Sequence, residues 1–347
     1  MKILQDYNLN ELTEKMVACG EKPFRAAQIF RNLHSGKAIS EMTDISLSLR
    51  EKLCESYVDE PCKIIKKLVS RDGTQKYLFR LYDGNVIEGV LMEYKYGNTL
   101  CVSTQVGCRM GCTFCASTLE GLVRNLSAGE ILSEVLTVNR EAGGDIKNRK
   151  VTNVVLMGSG EPLDNYEEVI KFIKLLAAPE GINVSPRNVS LSTCGLVPKI
   201  YELAEEGLAV NLTISLHSPF DESRARIMPV AKSFKISEIL AACENYFNKT
   251  GRRYYFEYSL ISGENDTDEC VNALVKLLKG KPCHVNLIRL NEVKERNLMS
   301  TDDEKAKAFM NKLNDKGISA TLRRRMGVDI DGACGQLRRR FIAEENS

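Results

Sequence analysis

The sequence predicts an α/β protein: a partial (β/α)6 barrel, preceded by a helical module and a small antiparallel β extension. Three observations lead there. Six short β-rich runs, at 100–105, 151–157, 189–193, 210–216, 254–261 and 285–290, alternate with amphipathic segments. That is the pattern of parallel strands joined by right-handed helical crossovers. Six units fall short of the eight that close a full barrel, and residues 1–98 lack the alternation altogether. An open doubly wound sheet is the competing architecture.

Taken in order, residues 1–60 read as helices. Pro23 precedes an apolar-periodic run with Phe24, Ala27, Ile29 and Phe30, and Ser48 with Glu51 has the spacing of a capping box. Residues 61–98 change to short β runs, Ile64-Ile65, Tyr77-Leu78-Phe79, Val86-Ile87 and Val90-Leu91-Met92, with Asp83-Gly84 as a hairpin turn. The barrel fills 99–347. One of its helices opens on the capping box Ser127/Glu130, and the next shows Val169, Phe172, Ile173 and Leu176 at helical spacing. A late helix runs from a Thr301/Glu304 box to a terminating Gly317.

Composition narrows the function classes. With 43% hydrophobic and 27% charged residues, the chain is not predominantly disordered. No uncharged apolar stretch reaches the ~18 residues of a membrane helix. The start Met1-Lys2-Ile3-Leu4-Gln5-Asp6 meets an acid before any leader core forms, so the expected compartment is the cytoplasm. A net charge of +2 gives no general argument for nucleic acid. The 12 cysteines are then expected as reduced thiols, and only His34, His217 and His284 exist to compete as nitrogen ligands. A thiolate-rich metal site is open; a histidine-rich one is not.

The strongest chemical signal is Cys108-Arg109-Met110-Gly111-Cys112-Thr113-Phe114-Cys115, just after the first barrel strand. Three thiolates on one loop can hold three irons of a [4Fe–4S] cubane, leaving the fourth without a protein ligand. Zinc with Cys101 as fourth ligand is the competing reading, although structural zinc sites usually show two CxxC pairs. The second strand ends in Gly158-Ser159-Gly160-Glu161-Pro162, which fails the dinucleotide fingerprint because Leu163 stands where a third glycine is required. Cys334, in a Gly/Asp-rich loop, has no obvious packing use and is a candidate nucleophile. Basic runs Arg323-Arg324-Arg325 and Arg338-Arg339-Arg340 flank that loop, and Lys66-Lys67 and Arg252-Arg253 add further charge. They suit either solvated faces or a phosphate rim.

The cysteine triplet is the signature of the radical S-adenosylmethionine (SAM) superfamily, which the chain resembles throughout its barrel. Finer matches resemble the bacterial dual-specificity 23S rRNA/tRNA adenine-C2 methyltransferases. They are Thr104-Gln105-Val106-Gly107-Cys108, Ser192-Thr193, Ser215-Leu216-His217, Asn286-Leu287-Ile288 and Lys22-Pro23-Phe24-Arg25-Ala26. The tail Asp329-Ile330-Asp331-Gly332-Ala333-Cys334-Gly335-Gln336 matches as well. The resemblance implies a [4Fe–4S] cluster on Cys108, Cys112 and Cys115, and SAM held by Gly160, Glu161, Ser192, Ser215, Leu216, His217 and Asn291. It also implies 23S rRNA and tRNA as substrates, an N-terminal RNA-docking module, an external electron donor such as flavodoxin, and no membrane partner.

Adenine C2, between two ring nitrogens, is too electron-poor to attack the methyl of SAM directly. The family's route, carried over, has Cys334 take a methyl group from one SAM. A radical derived from a second SAM then activates that methyl to add to C2. Glu88, aligned by Ile87-Glu88-x-Val90, is the implied proton acceptor, and Cys101 the thiol that frees the product. A related C8 methyltransferase conferring antibiotic resistance is the alternative: Pro162 favours C2, whereas Arg289 resembles the C8 relative. A zinc-containing, non-enzymatic RNA-binding protein is the alternative of a different class.

Overall fold

The computed structural model describes residues 2–291, 295–330 and 335–345, and Cys334 lies outside them. Three helices open the chain: α1 (Leu9–Ala18), α2 (Phe24–His34) and α3 (Leu47–Ser56). They bury Leu12, Met16, Ile29, Phe30, Leu49 and Leu53 in a core of their own. Pro23 stands directly before α2. The cap of α3 is Ser46 rather than Ser48: its extended backbone lets the side chain accept the Leu49 N–H at 3.3 Å.

Strands β1 (Cys62–Val69), β2 (Gln75–Leu81) and β3 (Val86–Tyr94) form the antiparallel extension, with Gly84 at φ +87° in the expected turn. The extension continues the barrel sheet, because β3 pairs antiparallel with β4 (Gly97–Cys101). The run expected at 100–105 is split. Ser103 donates its hydroxyl to the Glu88 carbonyl and Thr104 N–H bonds Ser159 O, so the chain leaves the sheet after β4. It then forms β5 (Gln105–Gly107), paired only with β6 (Leu122–Asn125).

Regular βα units follow: α4 (Ala128–Glu141), β7 (Asn153–Leu156), α5 (Tyr166–Leu176), β8 (Val189–Thr193), α6 (Val197–Glu205) and β9 (Asn211–Ser215). After α7 (Asp221–Ile227) and α8 (Ile236–Thr250) come β10 (Tyr254–Leu260), α9 (Asp268–Leu278), β11 (Cys283–Arg289), α10 (Asp303–Asp315), β12 (Ala320–Leu322) and α11 (Gln336–Glu345). The ten-stranded sheet runs β1-β2-β3-β4-β7-β8-β9-β10-β11-β12, and every pairing from β4 onward is parallel. The six expected parallel strands are therefore present, and short β12 adds a seventh. Ser127 and Glu130 make the expected capping box on α4. Asp302, not Thr301, caps α10, because Thr301 is buried and donates to Asp266.

Strand periodicity divides the sheet's chemistry between its two faces. Leu100, Val154, Leu156, Leu191, Leu212, Ile214, Phe256, Val285 and Leu287 join the main core, together with residues of α4, α5, α6, α8, α9 and α10. The intervening residues Thr99, Asn153, Ser190, Thr213, Glu257 and Asn286 line a cavity inside the barrel. A closed eight-unit barrel is filled by branched apolar side chains; this lumen is polar and open.

The helical module is fastened to the barrel at three places. Asp6 accepts the Gly129 N–H at 2.6 Å near the start of α4, and Arg140 pairs with Glu41 at its end. His34 is buried, accepts the Ile182 N–H on Nδ1 at 3.2 Å and lies 4.2 Å from the Phe30 ring. Burial lowers the His34 pKa to about 4. The unfolded chain, with an ordinary histidine near 6.5, therefore binds more protons between those values, and stability falls as pH drops through that window. Going from pH 7 to pH 5, the wild type is expected to lose about 2 kcal/mol more than His34→Gln in denaturant unfolding. An equal pH dependence in both proteins would remove His34 as the source.

Candidate active site

The cysteine loop leaves β5 through Gly107, whose φ of +78° and close approach to Gly121 O leave no room for a Cβ. Backbone bonds then set its course: Cys108 N to Gly121 O at 2.9 Å, Thr113 N to Ile227 O at 2.9 Å, and Cys115 N to Cys112 O at 3.2 Å. Thr118 donates its hydroxyl to the carbonyls of Cys112 and Cys115. Arg109 ties the loop to Asp164, behind the end of β7. Cys112 packs with Ile227, Met228, Ile261 and Leu290, with Cys115 and Phe114 at the margin of the same apolar patch. Burial pushes the Cys108 thiol up to about 12 and Cys112 higher still, with the neighbouring thiols adding to the effect. Binding of a metal group at these thiols therefore releases protons.

Among the described residues, no three His, Cys, Asp or Glu side chains are gathered around a point where a single ion would sit. A rigid loop carrying three sulfurs, backed by apolar side chains, fits the cubane.

The SAM-binding candidates stand along the carboxyl ends of successive parallel strands, the face where such barrels place their chemistry. Gly160 and Glu161 follow β7, Ser192 lies in β8, Ser215 ends β9 with Leu216 and His217 after it, and Asn291 follows β11. Gly160 adopts φ +110° against Thr104 and Gln105, where an added Cβ would lie 2.7 Å from either side chain. Glu161 is buried, which raises its pKa, and its carboxylate accepts Cys194 N–H at 2.7 Å and Leu163 N–H at 3.0 Å. That carboxylate couples the turns after β7 and β8. His217 has φ +55°, is buried and has its pKa lowered to about 3, so its ring is neutral. Its Nδ1 accepts Ser259 N–H at 3.0 Å, which leaves the proton on Nε2. Asn291 is exposed.

Cys101 ends β4 on the lumen face, two residues beyond Thr99, and is 6% exposed. Glu88 is not the exposed strand glutamate that a hairpin position suggests. It is buried, 3.1 Å from Lys76 Nζ, and accepts the N–H groups of Gly335 (2.7 Å) and Arg338. The backbone immediately after Cys334 is therefore anchored on β3. A Cβ on Gly335 would lie 3.1 Å from Ala116 and Ser117, beside the cysteine loop. The arginine runs divide. Arg338 is buried against Val86 O and Glu120, while Arg323 pairs with Glu257 inside the lumen.

Two supporting residues escaped the sequence reading. Arg224, fully buried on α7, donates to the carbonyls of Leu216, Cys194 and Ser215. Asn265 donates to His217 O and Ser259 O and accepts Ile261 N–H. Both replace missing backbone partners at the strand ends, a role with no periodic signature.

The radical SAM superfamily model matches residues 102–278, and the model of the ribosomal RNA large subunit methyltransferase N-terminal domain matches residues 3–58. A probable dual-specificity RNA methyltransferase RlmN from Clostridium perfringens (strain 13 / Type A) is 53% identical over 345 residues, covering 99% of this chain and 98% of that protein. A protein of the same description from Lachnoclostridium phytofermentans is 50% identical, covering 96% and 93%. The crystal structure of a radical SAM methyltransferase from Sphaerobacter thermophilus superposes with a TM-score of 0.92 at 42% identity, over 97% of this chain and 99% of that one. With relatives matched along its whole length and both family models matched, the chain belongs to the RlmN family of radical SAM RNA methyltransferases.

Proposed function

We propose that the protein methylates C2 of an adenine in 23S rRNA and in tRNA, through a methyl group carried on Cys334. The observation that carries this reading is the three-thiol loop that follows β5 and is bonded to α7 at Ile227, with Cys101 ending β4. Cys108, Cys112 and Cys115 hold a [4Fe–4S] cluster, and Gly160, Glu161, Ser192, Ser215, Leu216, His217 and Asn291 hold SAM. Together these groups supply the radical chemistry that an unreactive C–H bond requires. The chain's own part is orientation and exclusion of water. Glu88 keeps the tail against β3 and serves as the proton acceptor. Cys101 supplies the second thiol.

Residues 1–60 act as the RNA-docking module, 61–98 as its β extension and 99–347 as the barrel with the catalytic tail. The electron donor is external, of the flavodoxin type, and the reaction is cytoplasmic. No helix among the described residues is long and apolar enough to cross a membrane. Arg289, the residue that resembles the C8 relative, is engaged with Asp303 and the Arg323 carbonyl. Its position gives no chemical reason to prefer C8. Digests of 23S rRNA and tRNA incubated with reconstituted protein, SAM and reductant are expected to contain 2-methyladenosine by mass spectrometry. Finding only the 8-methyl isomer would transfer the assignment.

A further inference from the structure

The barrel has a second end that this reading leaves unused. Its cavity of about 530 Å³ opens where the parallel strands begin and lies within the usual range for ligand sites. Thr99, Ser190 and Thr213 line it, and the next residues on the same strand faces are Cys101, Ser192 and Ser215. Two residues of strand rise about 6.6 Å. The cavity therefore lies one pleat repeat below the catalytic layer, inside the same lumen.

The rim has a specific chemistry. Tyr94 and Tyr96 stack with centroids 5.0 Å apart and planes 6° from parallel, and Tyr96 is 74% exposed. Arg187 and Arg324 line the cavity and are exposed. Arg253 lies over the Tyr255 ring at 5.3 Å, and Arg252 donates to Asn211; Tyr255 and Asn211 both belong to the lining. The one acidic lining residue, Glu257, is matched by Arg323. Two of the basic runs visible in the sequence thus converge here. Exposed aromatic faces among cations are the chemistry of a platform for single-stranded nucleic acid.

We propose that this strand-start mouth is the port through which the extruded target nucleotide enters, its neighbours resting on Tyr94, Tyr96 and the surrounding arginines. The proposal rests on the RNA-methylation reading. At the opposite end the cysteine loop is joined to α7 through Thr113 and Ile227. Gly335 packs on the turn after Cys115 at the same end. A base in a duplex must leave its stack before chemistry, and one entering base-first keeps its ribose at the rim. Adenine C8 is bonded to the glycosidic nitrogen and stays near that rim. C2 belongs to the far ring and reaches inward. Axial entry thus selects C2 by geometry, independently of the sequence motifs.

The test uses cluster-loaded full-length protein and a fluorescent RNA stem-loop with an unpaired adenosine. Tyr96→Ala and Arg324→Glu are each expected to weaken RNA binding about tenfold by anisotropy, and the Arg324→Glu variant to flatten its salt dependence. SAM affinity by equilibrium dialysis should not change. Unchanged RNA affinity in both variants overturns the port. In the wild type, 4-thiouridine placed beside the target adenosine should photocrosslink to the segment around Tyr96. Crosslinks confined to residues 108–118 also overturn it. Wild type that methylates RNA but crosslinks elsewhere defeats the port alone. Wild type that crosslinks at Tyr96 yet methylates no RNA defeats the methylation reading.

Discussion

Replacing Cys112 with alanine is expected to leave a folded chain that holds no [4Fe–4S] cluster and makes no methylated RNA. The loop's path depends on backbone groups of Cys112 and its neighbours and on the Thr118 hydroxyl, all of which survive the substitution. Losing one small buried side chain costs about 1 kcal/mol, far less than the stability of a typical domain. The ligand is lost and the loop remains. Iron per chain after anaerobic reconstitution should fall from about four to near zero, and the visible cluster absorption with it. Cys108→Ala and Cys115→Ala should behave alike. Wild-type protein that methylates RNA with stoichiometric zinc and no iron would sink the radical reading.

The second large effect separates two thiols. Cys334→Ala is expected to bind cluster and SAM normally but to form no methylated RNA. Cys101→Ala is expected to carry out the earlier steps and stop with RNA attached through Cys334. The carbon joining sulfur to adenine is freed when a second thiolate attacks the Cys334 sulfur. A sulfur–sulfur bond then forms as the sulfur–carbon bond breaks, the bonding pair leaving with the carbon. Cys101 ends β4, two residues beyond the lumen-lining Thr99. A nuclease-sensitive, slow-migrating band on denaturing gels with labelled RNA would reveal the trapped species. Normal turnover by Cys101→Ala would return Cys101 to an ordinary buried residue.

Local patterns that repeat are legible in the sequence itself. The Ser127/Glu130 box, the Asp83-Gly84 turn and the alternation of strands with amphipathic helices are each fixed by near neighbours, and all appear as expected. Positions decided by distant partners were harder to read. The 100–105 run was apolar enough to read as one strand, yet Ser103 and Thr104 find partners at Glu88 and Ser159. Glu88 resembled a surface residue because Lys76, Gly335 and Arg338, which surround it, are far away or on another strand. Arg338 belongs to a run that suits a solvated face or a phosphate rim, yet its own guanidinium is buried against Val86 O and Glu120.

The division of β8 and β9 between an apolar outer face and a polar inner one separates two kinds of evolutionary risk. Leu191, Leu212 and Ile214 are wholly buried against the helices, and truncating such residues to alanine costs roughly 2–5 kcal/mol. Their immediate neighbours Ser190 and Thr213 face the lumen, where a change of side chain alters recognition while the packed outer layer is untouched. Substitutions can therefore explore new substrates on alternate residues of a strand without drawing on the reserve that keeps it folded. The scaffold is free to diversify in chemistry while staying conservative in architecture.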